Sequence, residues 1–217
     1  MDHFKALASS LCAHEFSCLG YCIATLLTSR LHDKDWRVRV EAVVGLSSTG
    51  IPNLPFRGEA LASMLGDDDR TVRANAVMAL GKLEATEVTL HVAAVVACLN
   101  DMFWSVRAEA LQVLFKLDSL ILDPYADVIA ARLSDNDSDV RLLALKVLRK
   151  IDHTLVAPYV DSVIACLGDN WIVRVHALLL LSNFDTVVLA PYLDTIIARL
   201  GDVDSDVRLA AQRVFQN

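Results

Sequence analysis

The sequence predicts an all-α fold of the α-solenoid type, in which short helix pairs stack one after another. The dipeptide Val-Arg recurs six times along the 217 residues, at intervals of 34, 34, 34, 33 and 34 residues, and a fixed period of this length is typical of helical repeats. An apolar fraction of 54% also suits units that bury one face against each neighbour. We therefore expect one continuous solenoid over residues 1–217, with about six repeats in 20–217 and a degenerate cap in 1–19. The repeated dipeptides are Val38-Arg39, Val72-Arg73, Val106-Arg107, Val140-Arg141, Val173-Arg174 and Val207-Arg208.

The first helix of the repeat is clearest from Pro124 to Leu133. Proline suits the first turn of a helix, and Val128, Ile129 and Leu133 follow at helical spacing. Pro158 and Pro191 repeat this opening. The helix is predicted to end near residue 134 with a glycine or a substitute in a left-handed conformation. The glycines at this place are Gly66, Gly168 and Gly201.

The second helix of the repeat is predicted to begin three residues before the repeated Val. An aspartate at this position can accept hydrogen bonds from the free N–H groups of the first turn. Val140, Ala144 and Leu148 then lie at four-residue steps and form one apolar stripe, in which the small Ala permits close helix approach. The predicted capping residues are Asp35, Asp69, Asp137 and Asp204.

Three places depart from the regular pattern. Residues 47–58 contain Pro52 and Pro55, which predicts an irregular connection with a bend. One residue is missing from the turn before Val173. The last second helix leaves Ala211, Val214 and Phe215 without a polar covering, which predicts either a longer array or an interface at this end.

The repeated Arg has two interpretations. Stacked guanidinium groups could bind a row of carboxylates or phosphates in a ligand. Alternatively, each Arg lies near an aspartate of the turn that precedes its helix, and a ladder of Arg-Asp pairs would hold neighbouring repeats in place. We favour the structural interpretation.

Composition excludes several classes of function. A formal net charge of −7 argues against a general nucleic-acid binder, which needs Lys and Arg to neutralise phosphates. We find neither an apolar run long enough to cross a membrane nor a secretory signal, so we expect an intracellular, cytoplasmic protein. The five cysteines form an odd set and are expected to stay reduced. We expect no cofactor and no membrane partner.

The turn Asp-x-Asp-x-x-Val-Arg, seen in residues 67–73 and 135–141, resembles that of HEAT-repeat proteins. The resemblance covers residues 20–217, and the short period is similar to that of the compact HEAT-like units of bilin lyases. It implies a non-catalytic scaffold that binds a protein partner on the concave face lined by the second helices. One alternative is an enzyme subunit of the bilin-lyase kind, holding a tetrapyrrole or its acceptor protein.

The resemblance places the binding side chains three, six and ten residues after each repeated Val, off the apolar stripe. These positions vary between the repeats, with acidic and amide residues early in the helices and cations late. A band of cations could hold an acidic peptide or protein surface. The candidate residues are Glu41, Asn75, Lys82, Glu109, Gln112, Lys116, Lys146, Lys150, His176 and Arg213.

Catalytic and metal sites are not expected. The pair His14-Glu15 is similar to the ligand pairs of HEAT-type iron hydroxylases, but such a site needs several pairs and the second helices lack them. Cys12, Cys18 and Cys22 with His14 form a weak metal candidate, and small buried thiols are the favoured interpretation.

Tryptophan occurs beside three of the turns, at Trp36, Trp104 and Trp171. The segment 33–39 resembles the first turn of tubulin-binding TOG domains, although the later turns are acidic. A tubulin-binding module is therefore a second alternative. We favour an interpretation in which the rings cover the ends of the helix pairs.

Overall fold

The structure is a computed structural model that describes residues 22–48 and 56–216. All regular secondary structure within these residues is helical, which confirms the all-α prediction. The chain divides between Ala94 and Val95 into two compact units, which we call unit 1 and unit 2. The predicted cap in residues 1–19 and residues 49–55 of the predicted bend lie outside the described residues.

Unit 1 contains the first two repeats and the start of the third. Its two second helices, α2 and α4, pack against each other, and α3 lies against both. The elements in chain order are α1 (22–30), α2 (Trp36–Ser48), α3 (Arg57–Ser63), a 3-10 turn (Met64–Gly66), α4 (Arg70–Leu80) and α5 (Ala85–Thr89). A further helix, α6 (Val92–Ala97), continues into unit 2.

Unit 2 holds four second helices that pack in sequence, α7 on α10, α10 on α13 and α13 on α16. Two short helices precede each of α10, α13 and α16. They correspond to the first helix of the repeat, and we call them the first layer. The elements are α7 (Trp104–Phe115), α8 (Ser119–Leu122), α9 (Ala126–Ala130), α10 (Ser138–Leu148), α11 (His153–Val156), α12 (Val160–Ala165), α13 (Trp171–Leu181), α14 (Thr186–Leu189), α15 (Leu193–Ala198) and α16 (Ser205–Val214).

The predicted apolar stripe forms the core. In α10, Val140, Ala144 and Leu148 are all 0% exposed, and a fully buried Leu or Val contributes roughly 1.5–3 kcal/mol. The same three positions are buried in α4, α7 and α13, whereas in the first and last repeats Val38 is partly buried and Phe215 is exposed. At the end of α16, Ala211 and Val214 are also buried, because α16 packs on α13. The prediction that these residues lack a covering was therefore wrong for Ala211 and Val214, whereas Phe215 is 46% exposed.

The first layer differs from the prediction at its prolines. Pro124 does not open the first helix, because it lies in a 3-10 turn (Asp123–Tyr125) between α8 and α9. Pro158 and Pro191 lie in equivalent 3-10 turns. Proline cannot donate a backbone hydrogen bond inside a helix, so the first layer of these repeats is bent into two short helices.

The end of the first layer also differs from the prediction. Gly66, Gly168 and Gly201 close 3-10 turns and are not left-handed. The next residue is extended, as at Asp67 with φ −60 and ψ 146. A 3-10 turn followed by an extended residue ends the helix without a left-handed position, so Ser134 can occupy the same place.

The predicted caps of the second helices are confirmed. Asp69 accepts hydrogen bonds from the N–H of Thr71 at 2.7 Å and of Val72 at 3.4 Å. Asp137 and Asp204 accept the equivalent two bonds, and the Asp35 side chain accepts one, from the N–H of Arg37. Where the turn is one residue shorter, Asn170 performs the same role. Each cap satisfies N–H groups that have no partner within the helix.

Candidate functional site

The repeated Arg side chains form a ladder between successive repeats. Arg107 donates from Nε and Nη2 to Asp135 at 2.7 and 2.6 Å, and Arg39 bonds to Asp67 in the same bidentate way at 2.7 Å. Arg141 and Asp169 continue the ladder, as do Arg174 and Asp202. The structural interpretation is confirmed at these pairs. The partner differs from the prediction, because the carboxylate belongs to the following turn, 28 residues later.

The turn that precedes each helix contributes a backbone carbonyl to the same Arg. Arg107 donates from Nη1 to the oxygen of Asp101 at 2.8 Å, and Arg208 donates to the oxygens of Asp202 and Val203 at 2.7 and 2.9 Å. The guanidinium groups that make both kinds of bond therefore join their own turn to the next one, as at Arg39, Arg107, Arg141 and Arg174. These bonds use the donors that a ligand would need, so the ladder is part of the fold.

The pKa values of three ladder carboxylates, Asp135, Asp169 and Asp202, lie below the ordinary value. The Asp135 side chain is only 3% exposed, and burial acts to raise its pKa. Hydrogen bonds from Arg107 and from the N–H of Asp137 act in the opposite direction, and the net result is a pKa below the ordinary value of 3.8. A charge buried in this way depends on its partner.

The candidate binding positions fall into two groups by exposure. Their role in binding stays a prediction, but the structure shows which side chains are accessible. Exposed are Glu41, Lys82, Gln112, Lys116 and Arg213, whereas Asn75, Glu109, Lys146, Lys150 and His176 are partly buried. Among the partly buried group, Asn75 donates to the oxygen of Thr71 at 2.8 Å.

Lys150 has a structural role that the sequence did not reveal. Its ammonium donates to the oxygens of Phe115, at 2.7 Å, and Leu117, and it lies 5.3 Å from the centre of the Phe115 ring. These carbonyls lie at the C-terminal end of α7, where a cation complements the helix dipole. Lys150 thus links two successive repeats.

His176 marks a cluster of positive charge in unit 2. Burial and, to a smaller extent, the positive charges of Lys146 and Arg149 together lower its pKa from the ordinary value of 6.5 to about 4. Its Nδ1 atom is buried and has no hydrogen-bond partner among the described residues. The side chain is therefore neutral at physiological pH, and Lys146 of α10 and Arg149, which directly follows α10, lie close to it.

The lowered pKa of His176 predicts that the folded protein loses stability in mild acid. Because its pKa is lowered from 6.5 to about 4 in the folded protein, its contribution is complete above pH 6.5 and declines as the pH falls towards 4. We expect His176→Gln to remove that decline in urea unfolding measured between about pH 7.5 and about pH 4.5. His153→Gln, which changes an exposed histidine, should keep it. An unchanged decline in His176→Gln would contradict the prediction.

A groove of about 280 Å³ lies between α7 and α10. It brings together Glu109 and Gln112, both predicted from the sequence, with Trp104 and Asp139, which were missed as binding residues. Trp104 lies two residues before the repeated Val, and Asp139 lies one residue before the next repeated Val. Only the packing of successive second helices brings these positions together.

The three tryptophans each begin a second helix, but they cover its end only partly. Trp36, Trp104 and Trp171 are 37%, 50% and 46% exposed. The guanidinium of Arg37 lies over the Trp36 ring, 4.9 Å from its centre. The rings therefore remain accessible to a binding partner.

The cysteines that the structure describes are free thiols: Cys22 is exposed and Cys98 and Cys166 are buried. Burial raises the pKa of Cys166 to about 11, so this thiol stays protonated and unreactive. Within residues 22–48 and 56–216, no group of His, Cys, Asp and Glu could hold a metal ion. The metal candidates Cys12, His14 and Cys18, and the pair His14-Glu15, lie outside the described residues.

None of the helices in the described part of the chain combines the length and the apolar character that a membrane crossing requires.

Several solved structures share this fold. An engineered protein superposes with a TM-score of 0.71 at 18% identity, over 89% of this chain and 95% of the other. A computationally designed armadillo repeat protein for modular peptide recognition gives a TM-score of 0.69 at 16% identity, over 88% and 98% of the two chains. A designed armadillo repeat protein in complex with the peptide (KR)4 gives 0.67 at 14% identity, over 88% and 97%. These similarities confirm the α-solenoid fold.

A comparison with curated proteins gives no match to this chain. The family model of HEAT repeats, by contrast, matches residues 23–114 and 58–149. The two matches together span more than half of the sequence, and they include the turns whose pattern first suggested the resemblance. The chain therefore belongs to the family of HEAT-repeat proteins.

Proposed function

We propose that this protein is a non-catalytic scaffold that binds an acidic peptide or protein surface on the second helices of unit 2. The surface consists of the variable positions of α7, α10, α13 and α16, and we call it the second-helix surface. Its positions are those that the sequence analysis assigned to the concave face. The carrying observation is the packing of α10 on α13, which brings Lys146 of α10 and the following Arg149 near His176 of α13.

This part of unit 2 carries positive charge that reaches the surface. Lys146 is partly buried and Arg149 is exposed near the end of α10, and His176 offers a neutral ring beside them. Lys116 lies exposed after the last turn of α7. Cations grouped in this way create a local positive potential despite a net charge of −7.

The fold supports the general role. HEAT and armadillo arrays typically act as scaffolds for protein interactions, and one structural neighbour is a designed armadillo repeat protein in complex with the peptide (KR)4. Extended surfaces built from successive repeats suit the binding of extended segments. No contact in the described residues favours the tetrapyrrole-holding or tubulin-binding alternatives.

The test uses a fluorescently labelled glutamate octapeptide and its anisotropy at about 50 mM salt, where surface charges are weakly screened. We expect saturable binding by the parent protein. The triple variant Lys116→Glu, Lys146→Glu, Arg149→Glu should weaken it at least about tenfold, because like charges repel the peptide. Lys150 is left unchanged because its ammonium links two repeats.

The control reverses three exposed cations of unit 1, in the variant Arg30→Glu, Lys34→Glu, Arg37→Glu. Its net charge equals that of the test variant, so a purely nonspecific attraction would fall equally in both. Equal loss in the two variants, or unchanged binding by the test variant, would overturn the proposal. Far-UV circular dichroism confirms that each variant is folded.

A further inference from the structure

The groove between α7 and α10 is a second feature of the second-helix surface, and its chemistry is opposite to that of the cation cluster. We propose that it binds one basic side chain, lysine or arginine, of the partner segment, held by Trp104, Glu109 and Asp139. This inference rests on the proposed function because the groove belongs to the same surface. A partner that fits both places carries a basic residue beside an acidic stretch.

The size of the groove suits one side chain. Its volume of about 280 Å³ lies just below the range of about 300–1,000 Å³ that is usual for whole small-molecule ligands. Ala108, Leu142 and Leu143 form apolar parts of the lining, against which the methylene groups of lysine or arginine can pack.

Trp104 offers an aromatic surface for a cation. Its side chain is 50% exposed, and a cation over an indole ring is attracted by the ring electrons. The chain itself shows this arrangement at the equivalent position of the first repeat, where Arg37 lies over Trp36 at 4.9 Å. In the third repeat Ser105 takes the place of Arg37, so the cation at Trp104 has to come from a ligand.

Glu109 supplies a carboxylate that is not neutralised within the protein. Burial raises its pKa, and the charge of Lys116 acts in the opposite direction. Within the described residues, Glu109 has no hydrogen-bond or ion-pair partner. Asp139, in the first turn of α10, lines the same groove. A bound ammonium or guanidinium would form charge-assisted hydrogen bonds with these carboxylates.

The corresponding place between α13 and α16 has a different composition. Trp171 and Asp206 occupy the positions of Trp104 and Asp139, but His176 stands where the groove has Glu109. The two places therefore differ mainly in the partly buried carboxylate. This difference supplies a control within the same molecule.

The experiment titrates the ¹⁵N-labelled full chain with an alternating Lys-Arg octapeptide at about 50 mM salt. The indole N–H signal of Trp104, assigned from Trp104→Phe, reports the groove. We expect saturable movement of this signal, and about tenfold weaker binding in the variant Glu109→Gln, Asp139→Asn. The control Glu41→Gln, Asp206→Asn makes the same charge change at the same positions of other repeats and should bind as the parent does.

Three results would overturn the inference: an unmoved Trp104 signal, unchanged affinity in the groove variant, or equal loss in the control. The isosteric substitutions are expected to leave thermal unfolding unchanged, and the Trp104 signal is measured in the parent as well, so the test does not depend on one variant. The glutamate octapeptide tests the cation cluster separately. Failure of either proposal can therefore be recognised while the other stands.

Discussion

Arg107→Ala is expected to lower the free energy of unfolding by about 3 kcal/mol, because it leaves a buried charge without its partner. The Asp135 carboxylate is only 3% exposed and lies 2.6 Å from Nη2 of Arg107. After the substitution it retains the backbone hydrogen bond from Asp137 but loses both bonds from the guanidinium. Urea unfolding followed by far-UV circular dichroism at neutral pH measures the change.

Arg208→Ala is the matched control for this prediction. Arg208 occupies the same position of its repeat and donates to the same kind of backbone carbonyl, but in the described residues no carboxylate is bonded to it. We expect a cost of about 1 kcal/mol, the usual contribution of a few partly exposed hydrogen bonds. If both variants cost the same, the ladder carboxylates do not stabilise the fold as we infer.

Leu148→Ala is expected to destabilise unit 2 by about 3 kcal/mol, because it removes three buried carbon atoms together with their packing contacts and leaves a cavity. Leu148 is 0% exposed at the end of the apolar stripe of α10, and α10 packs on α7 and on α13. The loss therefore affects contacts on both sides of the helix. The same urea titration measures it.

Leu120→Ala makes the identical chemical change at a side chain that is 82% exposed. We expect it to change the free energy of unfolding by less than about 0.5 kcal/mol. A loss as large as that of Leu148→Ala would show that leucine content, and not burial in the stripe, accounts for the effect.

Much of the fold could be predicted from the sequence because its signals are local or strictly periodic. The interval of 34 residues locates the repeats, the four-residue spacing of Val140, Ala144 and Leu148 identifies the buried stripe, and aspartates three residues before the repeated Val cap the helices. The glycine ends and the prolines were less well predicted. A 3-10 turn and a helix present nearly the same sequence pattern, and the difference depends on how the layer packs.

The candidate surface was located only in part, because its chemistry depends on residues of different repeats. Sequence spacing selected Glu109 and Gln112, but not Trp104 or Asp139, which join them across two helices. It also selected Lys150 as a binding residue without showing that its ammonium is bonded to Phe115 and Leu117. Such pairings depend on the rotation of one helix against the next.

The sequence by itself determined the repeat, its helical period, its capped turns and the burial of its apolar stripe, because these follow from contacts within about one repeat. Only the tertiary structure decided which aspartate pairs with each repeated Arg and which side chains share a groove. The physical reason is that these contacts depend on which side chains are close in space, whatever their separation in sequence. Arg107 bonds to the carbonyl of Asp101, six residues before it, and to the carboxylate of Asp135, 28 residues after it.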